Sequence, residues 1–474
     1  MTRECYITMR DEVFCFITGL APSDASFLWN KYGIYKDGYI FSPKYKLGQW
    51  DGRIRFFEKT GKTYIRLLEE IVPILDEMGY EIVLKDQRQT LIPEVGRLDE
   101  EWFARKGATF KGKPVLIRPY QVDAVNTLLE TNDGFVIAGT GAGKSLMCAG
   151  LCDIFGESGL RTITVVPSSD LITQTFEWYQ ICKMDVGIYS GDTKDILHQH
   201  VVATWQALQN NPRIMQNFDV FIWDEAHGAA ADVAGKIIKE FGKHMAFRFG
   251  CTGTFPKPLV DQMSLKTAIG PIRKEIPAKW LMEHGYLAKL VIEPIEINET
   301  YIDEEFPDYA AERAFIVKSE KRLDFIADLV ISHASVYGNT FVLVSNIKFG
   351  EQLQKRIKDS EFLYGGTDND IRKENYDEYD FSDGLIKIAT FGIARQGISI
   401  DRIFCLFIID TGKSFITTTQ AIGRSLRLAT DKDSVRVVDL YSSLRWSKKH
   451  ARERVKWFKE HDYDFLPVKK VKLK

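Results

Sequence analysis

The chain has 474 residues, of which 45% are hydrophobic and 27% charged, and its formal net charge is −2. At about 150 residues per domain, this length predicts about three domains with enough apolar residues for packed cores. The charged N-terminus is not that of a signal peptide, no apolar run approaches the ~18 residues of a membrane-spanning helix, and the seven scattered cysteines form no C-x-x-C pair. These features argue against a membrane protein, a disulfide framework and a zinc site, and they predict a cytoplasmic location.

Residues 1–88 contain short β-like runs (12–18, 53–57 and 63–68) and two helical stretches (near 23–32 and 69–79), which together predict a small α+β domain. Its most informative segment is FSPKYKLGQWDGRIRFF (residues 41–57), where basic and aromatic residues interleave. Lys44 and Arg53 could neutralise phosphates while Trp50 stacks on a base, a combination typical of nucleic-acid binding. A hairpin with a basic outer face and an aromatic inner face explains the same pattern equally well.

After a polar connector (residues 89–112), strand-like and helical stretches alternate in two successive sets. The first set predicts an α/β domain over residues 113–296, and the second predicts another over residues 313–441. Between them, residues 297–312 are acidic and contain a proline, as suits a linker. The predicted strands are 135–139, 162–166, 201–204, 220–224, 246–251, 340–344, 361–364, 385–390, 404–409 and 435–440.

The stretch FVIAGTGAGKS (residues 135–145) joins a short apolar run to a helical pattern through three glycines. Glycines allow the N–H groups of a loop to face phosphate oxygens, and a helix N-terminus adds positive potential. Lys144 would then reach the β- and γ-phosphates, and the Ser145 hydroxyl suits Mg²⁺. The expected loop contacts are Thr140, Gly141, Ala142 and Gly143. Ala138 replaces the first glycine of G-x-x-x-x-G-K-[ST], so an ordinary strand-to-helix turn is the alternative.

A buried strand candidate, residues 220–224, delivers the sequence Asp224-Glu225-Ala226-His227. An acidic residue at such a strand end can hold Mg²⁺, and a neighbouring glutamate can polarise the water that attacks a γ-phosphate. Alone this tetrapeptide is a weak signal, because it could simply begin a helix. Its combination with the phosphate loop is a strong one.

Further short motifs follow one another in a fixed order along the chain. They are RPYQ (118–121), VP (166–167), ATWQ (203–206), TGT (252–254), ATFG (389–392), GIS (397–399) and QAIGRSLR (420–427). Together with the phosphate loop and the DEAH tetrapeptide, this set resembles a superfamily 2 helicase of the DEAH-box-like kind. The resemblance spans about residues 118–427 and implies two tandem RecA-like motor domains.

The resemblance implies a role for each matching position. Arg118 and Gln121 would contact adenine and so favour ATP, with Mg²⁺ held at Ser145 and Asp224, while Glu225 would be the general base. Gln420, Arg424 and Arg427 would reach the γ-phosphate from the second motor domain, so that hydrolysis depends on domain closure. Without the family, these two arginines would be surface charges on a helix. Gly397 would contact the nucleotide, and Ser399 stands where many relatives carry aspartate.

Coupling of hydrolysis to movement would involve His227, Thr252, Gly253 and Thr254. Contacts to the backbone of one nucleic-acid strand would come from Pro167, Thr204, Trp205 and Thr390.

Two segments narrow the resemblance to the XPB-like and UvsW-like branches of the superfamily. GPIRKEIPAKWLMEHGYLAKL (residues 270–290) is similar to the end of the first motor domain in both branches, and GQWDGRIRFF (residues 48–57) looks like the N-terminal domain of UvsW-type bacteriophage helicases. This similarity implies a monomer that unwinds and remodels branched DNA with 3′-to-5′ polarity. The alternatives are a duplex DNA translocase, an RNA or R-loop helicase, and a catalytically idle DNA-binding scaffold.

The C-terminal extension, residues 442–474, is strongly basic: from Arg445 onward it holds eleven Lys and Arg against four Asp and Glu. The pattern predicts a helix that packs on the second motor domain through Trp446 and Trp457. The basic residues Lys448, Lys449, Arg452, Arg454 and Lys456 would then form an outer face. Such a face suits a polyanion, and a solvated tail is the alternative.

Overall fold

The computed structural model describes residues 3–89, 93–139, 141–225, 230–299, 306–367, 382–392, 402–410, 431–460 and 463–473. The chain divides into two compact units. The first comprises Met1–Ala138 with Gly143–Glu275, and the second comprises Gly139–Ala142 with Ile276–Lys474. No helix in the described ranges is long and apolar enough to cross a membrane.

The first unit begins with a small α+β part, as the sequence predicts. Its elements are β1 (Arg3–Met9), β2 (Phe14–Thr18), α1 (Pro22–Lys31), β3 (Gly33–Tyr35), a 3₁₀ helix (Tyr39–Phe41), α2 (Pro43–Lys46), β4 (Arg53–Arg55), β5 (Lys62–Tyr64), a 3₁₀ helix (Ile65–Leu67), α3 (Leu68–Glu77) and β6 (Tyr80–Asp86). Four strands form a sheet in the order β5-β2-β1-β6, and β3 pairs with β4 in a separate antiparallel hairpin. One face of the sheet is buried because Cys5, Ile7 and Met9 alternate with more exposed residues along β1.

The rest of the first unit is a parallel α/β sheet with helices between its strands. After α4 (Trp102–Arg105) and the short strands β7 (Thr109–Phe110) and β8 (Lys113–Pro114), it contains α5 (Pro119–Thr131), β9 (Asp133–Ala138), α6 (Lys144–Glu157), β10 (Thr162–Val166), α7 (Ser169–Ile181), β11 (Val186–Tyr189), β12 (His200–Thr204), α8 (Trp205–Asn210), a 3₁₀ helix (Pro212–Asn217), β13 (Val220–Asp224), α9 (Ala230–Phe241), β14 (Phe247–Thr252), α10 (Leu259–Ala268) and β15 (Ile272–Ile276). The seven strands lie in the order β11-β12-β10-β13-β14-β9-β15. Strands β10 and β13 are fully buried, as expected for central strands of a sheet that is covered on both faces.

Buried arginines join the two parts of the first unit. Arg66, from the α+β part, donates hydrogen bonds to the backbone oxygens of Ile269 (2.7 Å) and Ala246 (3.2 Å), and its guanidinium pairs with Asp133 at 3.1 Å. Arg248 of β14 donates in return to the backbone oxygen of Glu12. Because buried cations are costly unless they are paired and hydrogen-bonded, these contacts hold the α+β part on the α/β sheet.

The second unit is a second parallel α/β sheet, and the predicted fold class is confirmed. Its elements are α11 (Ala278–Glu283), β16 (Lys289–Asn298), α12 (Tyr309–Ile316), α13 (Glu320–Tyr337), β17 (Thr340–Val344), α14 (Ile347–Arg356), β18 (Glu361–Leu363), β19 (Ile386–Thr390), β20 (Cys405–Ile409), β21 (Ser434–Ser442), α15 (Arg445–Glu460), β22 (Asp464–Phe465) and β23 (Lys469–Lys472). The strands lie in the order β18-β19-β17-β20-β21-β16-β22, and β23 also pairs with β16. Strand β16 starts within predicted domain 113–296 yet joins this second sheet. The five-part domain division stays a prediction.

The C-terminal extension differs from its prediction in two respects. Helix α15 forms, but it ends at Glu460, and β22 and β23 then join the sheet beside β16. Arg454 does not lie on an outer face, because it is buried and paired with Asp439 at 3.0 Å. Lys448 is half-buried and pairs with Glu296 at 3.0 Å. The exposed basic residues of α15 therefore include Lys449, Arg452 and Lys456 but not Arg454.

Candidate nucleotide site and nucleic-acid interface

The phosphate loop has the left-handed glycines that a phosphate cradle requires. Gly141 has φ +88°, and Gly143, the N-cap residue that precedes α6, has φ +77°. The left-handed conformation of Gly143 favours glycine, and a Cβ there would also lie 2.3 Å from Nε2 of Gln121. Ala138 ends strand β9 and is fully buried. The local geometry therefore matches a phosphate-binding turn despite the missing first glycine.

Lys144 is the first residue of α6, and its ammonium group is aimed back into the loop. Its Nζ lies 3.1 Å from Oε1 of Glu225 and 3.4 Å from the backbone oxygen of Ala138. Burial by itself would lower the pKa of Lys144, but the carboxylates of Glu225 and Asp224 outweigh burial and raise it. The lysine is therefore held as a cation at the position where phosphate oxygens would be bound.

Glu225 connects the lysine to the TGT segment. It has φ +54°, an unusual conformation for a residue with a side chain, and its N–H donates to the backbone oxygen of Cys251 at 2.8 Å. Its Oε2 accepts a hydrogen bond from the N–H of Gly253 at 3.3 Å, and the Thr252 hydroxyl lies 3.5 Å away. Strained residues of this kind concentrate at functional sites.

The coupling segment is itself ordered by the Thr252 hydroxyl. That hydroxyl donates to the backbone oxygen of Thr254 at 2.8 Å and accepts from the Thr254 N–H at 3.3 Å. Residues 252–254 therefore form one hydrogen-bonded segment that contacts Glu225 through the N–H of Gly253. The structure brings these three predicted coupling residues together with the predicted general base.

The residues predicted to hold Mg²⁺ offer oxygen ligands of the right kind. Asp224 ends strand β13 and is 4% exposed, and Ser145 is the second residue of α6. A hydroxyl and a carboxylate leave most ligand positions to phosphate oxygens and water, which is how Mg²⁺ is usually bound beside nucleotides. Across the described parts of the chain, no three or more His, Cys, Asp or Glu side chains form a metal-binding cluster.

The predicted adenine-contacting residues lie at the start of α5. Oε1 of Gln121 accepts a hydrogen bond from the N–H of Arg118 at 2.9 Å, and the guanidinium of Arg118 donates to the Tyr120 hydroxyl at 3.2 Å. Gln121 is 2% exposed and its amide nitrogen points toward Gly143. The glutamine therefore fixes the start of α5 against the phosphate loop.

Three residues predicted to meet a nucleic-acid strand lie at neighbouring strand ends of the first sheet. Strands β10 and β12 are adjacent and parallel, with Val166 opposite Thr204, so Pro167 and Trp205 follow at the same edge. The side-chain amide of Gln206 donates to the backbone oxygen of Pro167 at 3.4 Å. The Thr204 hydroxyl accepts from the N–H of Ala207 at 3.3 Å and caps α8.

The predicted contact in the second unit occupies the corresponding kind of position. Thr390 ends strand β19, opposite Val344 of β17, and is half-buried. Its contact with nucleic acid stays a prediction.

The basic and aromatic residues of the N-terminal part form a connected surface. Trp50 donates from Nε1 to the backbone oxygen of Arg53 at 2.8 Å, and the Arg53 guanidinium lies 4.4 Å from the centre of the Tyr35 ring. Lys44 and Trp50 line a cavity of about 490 Å³ beside this pair. Tyr35 was not among the residues predicted from the sequence. It lies opposite Arg53 in the β3–β4 hairpin, and this pairing is the signal that would have identified it.

Several predicted site residues lie outside the described residues. They are Thr140 of the phosphate loop, His227 of the DEAH tetrapeptide, and Gly397, Gln420, Arg424 and Arg427 of the second domain. Their roles stay predictions.

Two family models match the chain in separate segments. The model for the res subunit of type III restriction enzymes matches residues 115–257, and the model for the N-terminal domain of the DNA helicase UvsW matches residues 24–85. The first match contains the phosphate loop, Asp224 and the TGT segment. The second contains the basic and aromatic surface.

Relatives with established names match most of the chain. The ATP-dependent DNA helicase uvsW of Enterobacteria phage T4 is 28% identical over 442 residues, which are 89% of this chain and 87% of that protein. The DNA 3′-5′ helicase XPB of Kineococcus radiotolerans is 24% identical over 375 residues, 74% of this chain and 64% of that one. The solved structure of S. cerevisiae Dbp5 bound to RNA and ADP BeF3 shares the fold, with a TM-score of 0.53 and 16% identity, over 80% of this chain and 94% of that one. The resemblance seen in the motifs is thereby confirmed: over most of its length, this chain is similar to DNA helicases of the UvsW and XPB types.

Proposed function

We propose that this chain is an ATP-dependent DNA helicase. The observation that carries the proposal is the connection from Lys144 through the Glu225 carboxylate to the N–H of Gly253. It joins a phosphate loop to a segment that can move in response to the charge near Glu225. The names of the relatives, which include ATP-dependent and 3′-5′ DNA helicases, support DNA as the substrate.

The residues of the site divide the work of phosphoryl transfer between them. Bound MgATP supplies the metal and the γ-phosphate. Lys144 would exchange its pairing with Glu225 for phosphate oxygens, and Ser145 and Asp224 would offer oxygen ligands to the metal. Glu225, released from the lysine, can accept a proton from the attacking water. Its hydrogen bond from Gly253 would shift as its charge environment changes, which would link hydrolysis to movement.

The finer assignment rests on the same resemblance. We propose that the enzyme acts as a monomer in the host cytoplasm, unwinds and remodels branched DNA such as forks and Holliday junctions, and moves with 3′-to-5′ polarity. Closure of the two motor domains would bring Gln420, Arg424 and Arg427 to the γ-phosphate and make hydrolysis depend on bound DNA.

The decisive experiment measures ATP hydrolysis and strand separation on single-stranded DNA, duplex, fork, four-way junction and RNA–DNA hybrid. We expect DNA to stimulate hydrolysis and the fork to be separated, and Lys144→Ala to reduce hydrolysis by at least about 100-fold. Lys236→Ala, which removes an exposed lysine from α9, is the matched control and should retain activity. If DNA did not stimulate hydrolysis by the unaltered protein, the proposal would fail. Hydrolysis without strand separation would instead indicate a duplex translocase.

A further inference from the structure

A short helical excursion protrudes from the hairpin of the N-terminal part. Strands β3 and β4 pair antiparallel with Tyr35 opposite Arg53, and the N–H of Lys36 donates to the backbone oxygen of Gly52 at 2.9 Å. Between these ends, residues 36–49 form a 3₁₀ turn and helix α2, linked by successive backbone hydrogen bonds. We call residues 36–49 the helical knob.

Tyrosine rings brace the knob against its hairpin. The Tyr35 and Tyr39 rings stack with centroids 4.7 Å apart, and Tyr45 meets Tyr39 edge-on at 4.8 Å. A Cβ at Gly52 would lie 2.3 Å from Cδ2 of Tyr39, so a glycine is needed where the chain returns to the hairpin. The Arg53 guanidinium covers the Tyr35 ring. Aromatic pairs and cation–π contacts of this kind favour a fixed shape for the knob.

The knob nevertheless leaves its largest apolar side chains in solvent. Phe41 is 74% exposed, Leu47 is 70% exposed, and Ile40 is 49% exposed. Trp50, by contrast, is half-buried and its indole N–H is bound to the backbone of Arg53. Large apolar groups that are concentrated on one small protrusion usually mark a contact surface rather than a core.

The charge around these apolar residues indicates the partner. Lys44 and Lys46 are exposed on α2 between Phe41 and Leu47, Lys36 stands at the base of the knob, and Asp37 is the one acidic residue among residues 36–49. Cations flanking apolar side chains complement a chain whose backbone is anionic and whose bases have apolar faces. Proteins that kink or open nucleic acids insert such apolar side chains between base steps.

We propose that the knob is a wedge for branched DNA, in which Phe41 and Leu47 contact the faces of bases unstacked at a branch point while Lys44 and Lys46 contact the flanking phosphates. This inference rests on the proposed helicase function. The sequence predicts that Trp50 stacks on a base, but Trp50 is half-buried, and the wedge assigns the base contacts to Phe41 and Leu47 instead. The buried-arginine contacts of Arg66 and Arg248 hold the wedge part on the α/β sheet of the first unit, so force generated there can reach a branch point.

The test uses a forked duplex carrying 2-aminopurine at the base pair next to the branch, without ATP. Binding of the unaltered protein should change the 2-aminopurine fluorescence, and a variant with both Phe41→Ala and Leu47→Ala should lose that change. The same variant should separate forks at least about tenfold more slowly, since the loss of even one base contact is of that scale, while hydrolysis stimulated by single-stranded DNA stays within about twofold. Leu84→Ala removes another exposed leucine, 62% accessible on β6, and should behave as the unaltered protein.

The outcomes separate this inference from the proposed function. An unchanged fluorescence response and fork rate in the double variant would overturn the wedge, and the knob would then be a surface for a protein. Phe41→Tyr, which keeps the ring, should retain the response, and its loss there would also count against base stacking. Absence of DNA-stimulated hydrolysis in the unaltered protein would overturn the helicase proposal, while the ATP-free fluorescence measurement would still decide the wedge.

Discussion

Lys144 in the first unit and Arg322 in the second unit are both buried cations, but their surroundings differ. Lys144 in the first unit has a carboxylate partner, Glu225, whose side chain is 19% exposed. Arg322 in the second unit is fully buried, donates to Glu299 at 2.5 Å and contacts both oxygens of Asp410 at 2.8 Å. The Ser442 hydroxyl also donates to Glu299 at 2.7 Å. The first cation can exchange its partner for a phosphate from solvent, whereas the second is sealed in a structural network.

The pKa of each cation is raised by nearby carboxylates against the effect of burial, so the two sites differ in their access to solvent and not in their charge. Burial by itself would lower the pKa of Arg322, but Asp410 and Glu299 outweigh it and raise the pKa. The carboxyl of Glu299 has its pKa raised, because its own burial outweighs the attraction of Arg322. A buried ion pair of this kind adds little net stability, but loss of one partner leaves a buried charge alone.

The largest expected effect follows from removing the sealed cation. Arg322→Leu should lower the free energy of unfolding by about 3–5 kcal/mol, because Glu299 and Asp410 would be left buried without their counter-charge. Urea unfolding measures this loss. Lys321→Ala, which removes the exposed neighbour, is the control and should change stability by less than about 0.5 kcal/mol. A loss below about 1 kcal/mol for Arg322→Leu would show that the network is not the structural centre described above.

A buried histidine without a strong counter-charge should have a smaller effect on stability, and this effect should depend on pH. His200 on β12 is 3% exposed, and burial lowers its pKa to about 4 despite the attraction of Asp153 and Asp185. In the unfolded chain its pKa is about 6.5, so the unfolded state binds more protons between these values. Its contribution to stability is therefore complete above about pH 6.5 and is lost as the pH falls toward 4.

The measurement compares the unaltered protein with His200→Asn. Stability of the unaltered protein should fall more steeply between pH 6.5 and 4, by up to about 3 kcal/mol. His198 offers the opposite case, because hydrogen bonding to Asp185 raises its pKa, so its small contribution is lost as the pH rises. If stability fell equally steeply with pH in the unaltered protein and in His200→Asn, His200 would have the same pKa in the folded protein as in the unfolded chain.

The smallest expected effect on stability comes from the cation of the nucleotide site. Lys144→Met should change the free energy of unfolding by about 1 kcal/mol or less, because Glu225 keeps its hydrogen bond from Gly253 and its access to water. The same variant should lose ATP hydrolysis. Parallel urea unfolding and hydrolysis assays check both, and a loss of stability as large as that of Arg322→Leu would remove the distinction between the two centres.

Much of the fold was readable from local pattern. Strands β10, β13 and β17 begin and end at the predicted residues, because short runs rich in β-branched and aromatic residues indicate buried strands. Strands β1 and β6 were not predicted, and β23 has the sequence KKVK, which no local preference would make a strand. It becomes one because it pairs with β16, from Ile295 to Asn298. Such pairings depend on residues far apart in the chain.

The sequence by itself determined the phosphate loop, the acidic strand end and the order of the motifs, because backbone conformation at glycines and the chemistry of phosphate binding are local matters. The tertiary structure alone decided which carboxylate faces Lys144, that Arg454 lies buried against Asp439, and that Phe41 and Leu47 rather than Trp50 reach solvent. Burial and partners are set by long-range packing, which a local pattern of basic and aromatic residues does not encode.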